Sequence, residues 1–296
     1  MRIFPLLLLS LLAQQPRSAT FVSRSELVVL HVSVVDDEAG FVGGLPREAF
    51  VVHENGRPQP VALFEHDDTP VTVGLVIDNS QSMASRRETV IEAGMAFAAA
   101  SNPADEMFTV NFNERVWTGL PDGQPFTSNY NELRTALLRA GARGKTALFD
   151  ALDRALRQLD EGRQPRKALL VVSDGGDNAS SATFDQVLDA ALRRDVVIYG
   201  IGLADRDDRE AKPDVLRKLA KVTGGEVFFP KKNSEIPGLM ERIARDIRSS
   251  YTLGFVPGPS EGSARPRAIR VEVRPPDKRR LSVRSRSLYL GPEAGR

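Results

Sequence analysis

The chain has 296 residues, 41% of them hydrophobic and 27% charged, a composition of globular rather than disordered or fibrous proteins, with length for two domains. Lys and Arg number 40 against 39 Asp and Glu, so the net charge is +1 and bulk charge gives no argument for nucleic acid or a membrane surface. There is no cysteine, which excludes disulfides, thiolate metal sites and cysteine nucleophiles; three histidines confined to the first quarter argue against imidazole chemistry, which leaves oxygen ligands.

Charge is unevenly placed. Residues 263–296 hold ten Lys and Arg against three Asp and Glu, a local excess of +7. Arginines there alternate with apolar residues, as in Arg270-Val271, so the segment reads as a solvated strand face.

The N-terminus reads as a leader. Arg2 precedes an apolar run from Ile3 to Ala13, too short for the roughly 20 residues of a membrane span. A basic start, a short apolar core and a small residue at its end mark a secretory signal peptide over about 1–20. With no later apolar run of membrane-spanning length, the mature protein is expected to be exported, periplasmic or secreted, without a membrane span.

From 21 to 69 the pattern is strands and turns. In LVVLHVSVVDD, Leu30, Val32 and Val34 share one face and His31 and Ser33 the other. AFVVHENGRPQ carries a strand ending in Asn55-Gly56, a pair that favours a tight hairpin, and VALFEHDD is a further strand. His31, His53 and His66 read as solvent-side strand residues. From 70 to 250 strands and helices alternate. VTVGLVID is an apolar run of strand length, as a parallel strand buried on both faces requires. Helices are expected over Ser85–Ala100, Asn129–Ala140, Ala147–Leu159, Phe184–Arg194, Pro213–Val222 and Ser234–Arg248. Strands are expected at MFTVNF, Val116–Leu120, ALLVVS, VVIYGIG and EVFF. Repeated βα units imply a doubly wound, mostly parallel sheet with helices on both faces, Rossmann-like, binding ligands at the carboxyl ends of its strands. From 251 to 296 strands return in YTLGFVP, RAIRVEVRP and LSVRSRSLYL. Three strands are a marginal unit, so the two flanks are expected to pair into one small β domain.

Chemistry gathers after the α/β strands. The first ends in Asp78-Asn79-Ser80-Gln81-Ser82, the loop before the central helix holds Gly144-Lys145-Thr146, and ALLVVS ends in Ser173-Asp174-Gly175. These loops can converge at one end of the sheet. Two carboxylates and hydroxyls, without nitrogen or sulfur, suit Mg²⁺, Mn²⁺ or Ca²⁺.

Asp78-x-Ser80-x-Ser82, a distant Thr146 and Asp174-Gly175 resemble the metal-ion-dependent adhesion site of von Willebrand factor A domains. GKTALFDAL, VVSDGGDN and the outer segments GLPREAFVVHENGRPQPVALFEHDDTP, YTLGFVP and RAIRVEVR are similar to exported von Willebrand factor A-related proteins of Acidobacteria, from about Leu27 to Leu290. The resemblance implies that Ser80 and Ser82 bind metal directly, that Asp78 acts through water and by fixing its loop, and that Thr146 and Asp174 exchange direct and water-mediated roles. Lys145 departs from the small residue common before the Thr, and Gly176 stands where an acid is frequent. The resemblance also implies a non-enzymatic, Mg²⁺-dependent protein-binding module. An ion held by few carboxylates would then take an Asp or Glu side chain of a partner in its open position. Two other readings compete: a metal-dependent hydrolase or phosphoryl-transfer enzyme using Asp78, and an envelope protein with a structural metal. The enzyme reading lacks a second carboxylate two residues on, where Ser80 stands, and any His or Cys proton relay.

Overall fold

The computed structural model describes residues 27–36, 40–139, 141–203, 211–258, 266–275 and 280–290. The leader expected over 1–20 lies outside them. No helix among the described residues is long and apolar enough to cross a membrane.

The strands in chain order are β1 (Val28–Asp36), β2 (Gly40–Phe41), β3 (Phe50–Glu54), β4 (Arg57–Gln59), β5 (Leu63–Glu65), β6 (Val71–Asp78), β7 (Glu106–Phe112), β8 (Val116–Thr118), β9 (Arg166–Ser173), β10 (Val196–Gly202), β11 (Val227–Phe228), β12 (Tyr251–Phe255), β13 (Pro266–Val273), β14 (Ser282–Arg284) and β15 (Leu288–Leu290). The helices are α1 (Arg87–Ala100), α2 (Tyr130–Leu138), α3 (Leu148–Leu159), α4 (Phe184–Arg194), α5 (Pro213–Thr223) and α6 (Ile236–Ser249).

The central sheet runs β11-β10-β9-β6-β7-β8, all parallel except for β8. Every residue of β6 is buried, because both faces of the sheet are covered. Val71, Val73, Leu75 and Ile77 point to one face, where they pack with α1, α2 and α6. Val76 points to the other, with α3, α4 and α5. Gly74 shares this second face, and a Cβ there would come within 2.4 Å of the Phe108 ring. Helix α3 carries Leu148, Ala151, Leu152, Ala155, Leu156 and Leu159, each fully buried. Their spacing makes one apolar stripe of the 3.6-residue period. The chain from β6 goes first to β7 on one side and later to β9 on the other. The strand order therefore reverses at β6, and the crevice beyond its carboxyl end is the switch point of the sheet.

Two smaller antiparallel sheets flank this body. One runs β14-β1-β12-β5, with β2 also on β1; the other runs β15-β13-β3-β4. They share one apolar core of Leu30, Val32, Val34, Phe50, Val52, Leu253, Phe255, Ile269 and Val271 around the buried Tyr251. The Tyr251 hydroxyl donates to the Val42 carbonyl at 3.0 Å and accepts from the Leu45 amide at 3.0 Å. Asn55 and Gly56 turn β3 into β4 with φ of 49° and 79°.

Two of the histidines depart from the sequence reading, whereas His53 lies on the less buried face of β3. His31 lies on the second face of β1, but its side chain is only 9% exposed, and its Nε2 is 3.8 Å from Asp195 at the end of α4. Ser33 on the same face is buried as well. That face is covered by the α/β body instead of water. His66 stacks on Tyr251 with ring centroids 4.2 Å apart.

Candidate metal centre

Asp78 ends β6 at the switch point, beside Ser173 at the end of β9. Its carboxylate is 2% exposed and fully engaged. Oδ1 accepts from the Ser80 amide at 2.9 Å, and Oδ2 accepts from the Ser173 hydroxyl at 2.7 Å. Burial pushes the carboxyl up to about 6, with neighbouring Asp174 adding to the rise and the Ser80 and Ser173 hydrogen bonds opposing it.

From there a chain of oxygens reaches the surface. Ser80 is buried and Ser82 exposed, and their hydroxyls lie 3.1 Å apart. The Ser82 hydroxyl donates to Asp174 Oδ2 at 2.8 Å. The other Asp174 oxygen accepts from the Gly176 amide at 2.8 Å. Gly175 between them has φ of 82°, and a Cβ there would meet the Lys212 carbonyl oxygen at 2.5 Å.

The donor set can be tested against an octahedral ion. Metal–oxygen bonds of about 2.0–2.1 Å place adjacent ligand oxygens about 2.8–3.0 Å apart. The oxygens of Ser80, Ser82 and Asp174 are held together by hydrogen bonds of 3.1 and 2.8 Å, distances that are also compatible with that edge length. No group of three His, Cys, Asp or Glu residues forms a metal cluster among the described residues. The donors here are mixed hydroxyls and two carboxylates, so they fit a hard cation that keeps several waters.

Thr146 is buried and anchored through its backbone. Its amide donates to Asn178 Oδ1 at 2.9 Å, and its carbonyl accepts from the Asn178 and Ala179 amides, each at 3.0 Å. Asp177 Oδ2 accepts from the Phe149 amide at 2.9 Å, capping α3, which has no cap of its own at Ala147. Asp150 returns the link by accepting from the Ser181 and Ala182 amides. These two acids tie the Thr146 loop to the Asp174 loop.

Some participants escape sequence reasoning. Glu114, in the β7–β8 turn, accepts from the Lys145 amide at 3.1 Å, so a carboxylate stands beside the exposed Lys145. Nothing in the local sequence around Glu114 signals this, since the contact spans 31 residues. Asn79 and Arg87 also join the site: the Arg87 guanidinium donates to Asn79 Oδ1 at 2.8 Å.

Residues 73–176 match the family model of the von Willebrand factor type A domain. The α/β body has the von Willebrand factor type A fold. Among solved structures, a von Willebrand factor type A protein from Catenulispora acidiphila shares 13% identity over 92% of this chain and 76% of its own, with a TM-score of 0.55. Proximal thread matrix protein 1 from the mussel byssus shares 15% over 66% of this chain and 50% of its own, with a TM-score of 0.53. A second structure of that mussel protein has a zinc-occupied MIDAS motif; it shares 15% over 65% of this chain and 48% of its own, with a TM-score of 0.52. At these identities the likeness is one of fold. Sequence comparison with curated proteins finds no match. Within the type A fold the described loops occupy the carboxyl ends of β6 and β9 and the start of α3.

Proposed function

We propose that the protein is a non-enzymatic module that binds a partner protein through a divalent cation, Mg²⁺ or alternatively Mn²⁺ or Ca²⁺. Asp78, Ser80, Ser82, Thr146 and Asp174 would hold the ion. The observation that carries this reading is the hydrogen-bonded cluster of Ser80, Ser82 and Asp174 oxygens gathered over the buried Asp78 at the switch point of the sheet. When bound, the cation supplies a positive centre for a carboxylate in its open position. The chain's own residues do the rest. Asp78 fixes the 78–82 turn through the Ser80 amide and binds β9 through Ser173. Ser82 presents its hydroxyl at the surface, and Asp174 shares it. Few charged donors leave the centre attractive to an Asp or Glu of the partner.

Asp78 is poorly placed as a nucleophile, since both carboxylate oxygens already accept hydrogen bonds and the group is shielded from solvent. The leader pattern at 1–20 supports action outside the cytoplasm. The two flank sheets, sharing one core, support a domain division in which residues 21–69 and 251–296 form one β unit beside the 70–250 body.

The test is a metal titration followed by capture. The purified protein should bind Mg²⁺ or Mn²⁺, and its melting temperature should rise with free metal, as a ligand of the native state requires. Partner capture should be lost in EDTA and restored by Mg²⁺. Capture that is equal in EDTA would overturn the reading and leave the metal a structural part.

A further inference from the structure

Asn79 lies between Asp78 and Ser80 and is 2% exposed. All its polar groups are committed. Its amide donates to the Phe112 carbonyl of β7 at 2.7 Å, and its carbonyl accepts from the Arg143 amide at 2.9 Å. Its side-chain amide donates to the Ile77 carbonyl at 3.0 Å and to Asn111 Oδ1 at 3.4 Å. Its Oδ1 accepts from Arg87 Nη1 at 2.8 Å. One residue thus ties the Ser80 turn to β7, to the loop that leads to Thr146, and to α1.

Arg87 is unusual where it stands. It is the first residue of α1, where the helix dipole disfavours a cation. Its other Nη donates to the Leu138 carbonyl at 3.0 Å. Leu138 is the last residue of α2, so that carbonyl has no partner within its own helix, and the negative end of the α2 dipole offsets the charge. A planar guanidinium reaches both acceptors at once, which a lysine cannot do.

We propose that Asn79 and Arg87 form the positioning pair of the metal loops. Arg87 braces Asn79 against the end of α2, and Asn79 sets the distance between the Ser80 turn and the 143–146 loop. The inference rests on the metal-binding reading only for its consequence in affinity; the bracing itself is independent of metal.

The experiment uses the full chain with Arg87→Gln and Arg87→Lys. Mn²⁺ binding is followed by the loss of the free-ion electron paramagnetic resonance signal. Metal-free hydrogen exchange is read at single amides. Arg87→Gln should weaken Mn²⁺ binding about tenfold. Arg87→Lys, which keeps one of the two hydrogen bonds, should fall between it and wild type. In metal-free Arg87→Gln, exchange should quicken at the Asn79, Ser80 and Arg143 amides while α3 and β9 stay protected. Unchanged exchange at those amides, or a uniform rise across the protein, overturns the proposal, the latter making Arg87 a general support of the fold. Equal Mn²⁺ affinity in wild type and Arg87→Gln overturns it too. A wild-type protein that binds no Mn²⁺ overturns the metal reading instead, and the exchange data then decide the bracing alone.

Discussion

The site residues differ in what their removal should do. Asp78→Ala deletes two acceptors at once, leaving the Ser80 amide and the Ser173 hydroxyl without their partner. The metal-induced rise in melting temperature should vanish in this variant. Relief of a buried carboxyl already pushed up to about 6 should leave the metal-free melting temperature close to wild type. Differential scanning calorimetry with and without Mg²⁺ checks both. Gly175→Ala should cost about 1–3 kcal/mol in urea unfolding, because the left-handed backbone and the Lys212 carbonyl leave no place for a Cβ. At this scale the sequence was legible in part. The five oxygen-bearing residues are named from the resemblance of Asp78-x-Ser80-x-Ser82, Thr146 and Asp174 to a known motif, and the fold links four of them, Asp78, Ser80, Ser82 and Asp174, by hydrogen bonds. The supporting residues could not be picked out, since Asn79 and Arg87 act across α1 and α2, and Glu114 acts across 31 residues. Asn and Arg carry no positional signature, so only the folded arrangement assigns them a task.

Among the elements, α3 and β1 show opposite outcomes of periodicity. For α3 the apolar stripe names both the helix and its buried face, since all six apolar stripe residues are fully covered. Leu152→Ala should therefore cost about 2–5 kcal/mol in chemical denaturation, through lost burial and the cavity left behind. For β1 the alternation marks the inner face correctly but misassigns the outer one. A polar face signals water only when no second layer covers it, and here the α/β body does. Burial holds the His31 imidazole below its ordinary value; Asp195 pulls it up, while Arg166 and Arg286 push it down. The native state then keeps His31 neutral while the unfolded chain takes up a proton below about pH 6.5. Stability from this group is fully present above that pH and is lost as pH falls through it. The urea midpoint of the wild type relative to that of His31→Gln should fall from pH 7.5 to 5.5, whereas Asp78 and Asp246, both pushed up to about 6, titrate alike in the two proteins and cancel from the difference. The helix starting at Ser85 in the sequence reading begins instead at Arg87, after a 3-10 stretch over Gln81–Arg86. The turn is tighter there because the Met83 amide reaches the Ser80 carbonyl, which follows the shape of the 78–82 loop.

For the molecule as a whole, the doubly wound sheet was legible because buried strands and amphipathic helices alternate from Val71 to Ser249 apart from the consecutive β7–β8 and α2–α3 pairs. Strand order within the flanks was not, since short antiparallel strands carry no signal of their neighbours. The structure puts β12 between β1 and β5. A chain truncated after Ser250 should lose the middle strand of that sheet and expose Leu30, Val32 and Val34. Limited proteolysis should then cut within 28–65 far faster than in the full chain, while the 71–249 body stays resistant. Equal resistance in both segments would show that β1 and β5 hold without β12.

The antiparallel pairing of Val28 with Phe255 also sets a waiting time. During synthesis at about 5–20 residues per second, β1 leaves the ribosome roughly ten to forty-five seconds before its neighbour exists. For that interval its backbone edge on the β12 side has no partner and its apolar face is uncovered there, and the whole α/β body is made in between. Closing so long a loop is slow, because its entropy is lost before any contact repays it. Refolding from urea should therefore show a fast phase in which the α/β body forms and a later one in which β1 pairs with β12, read by pulsed hydrogen exchange at amides of Val28–Val32.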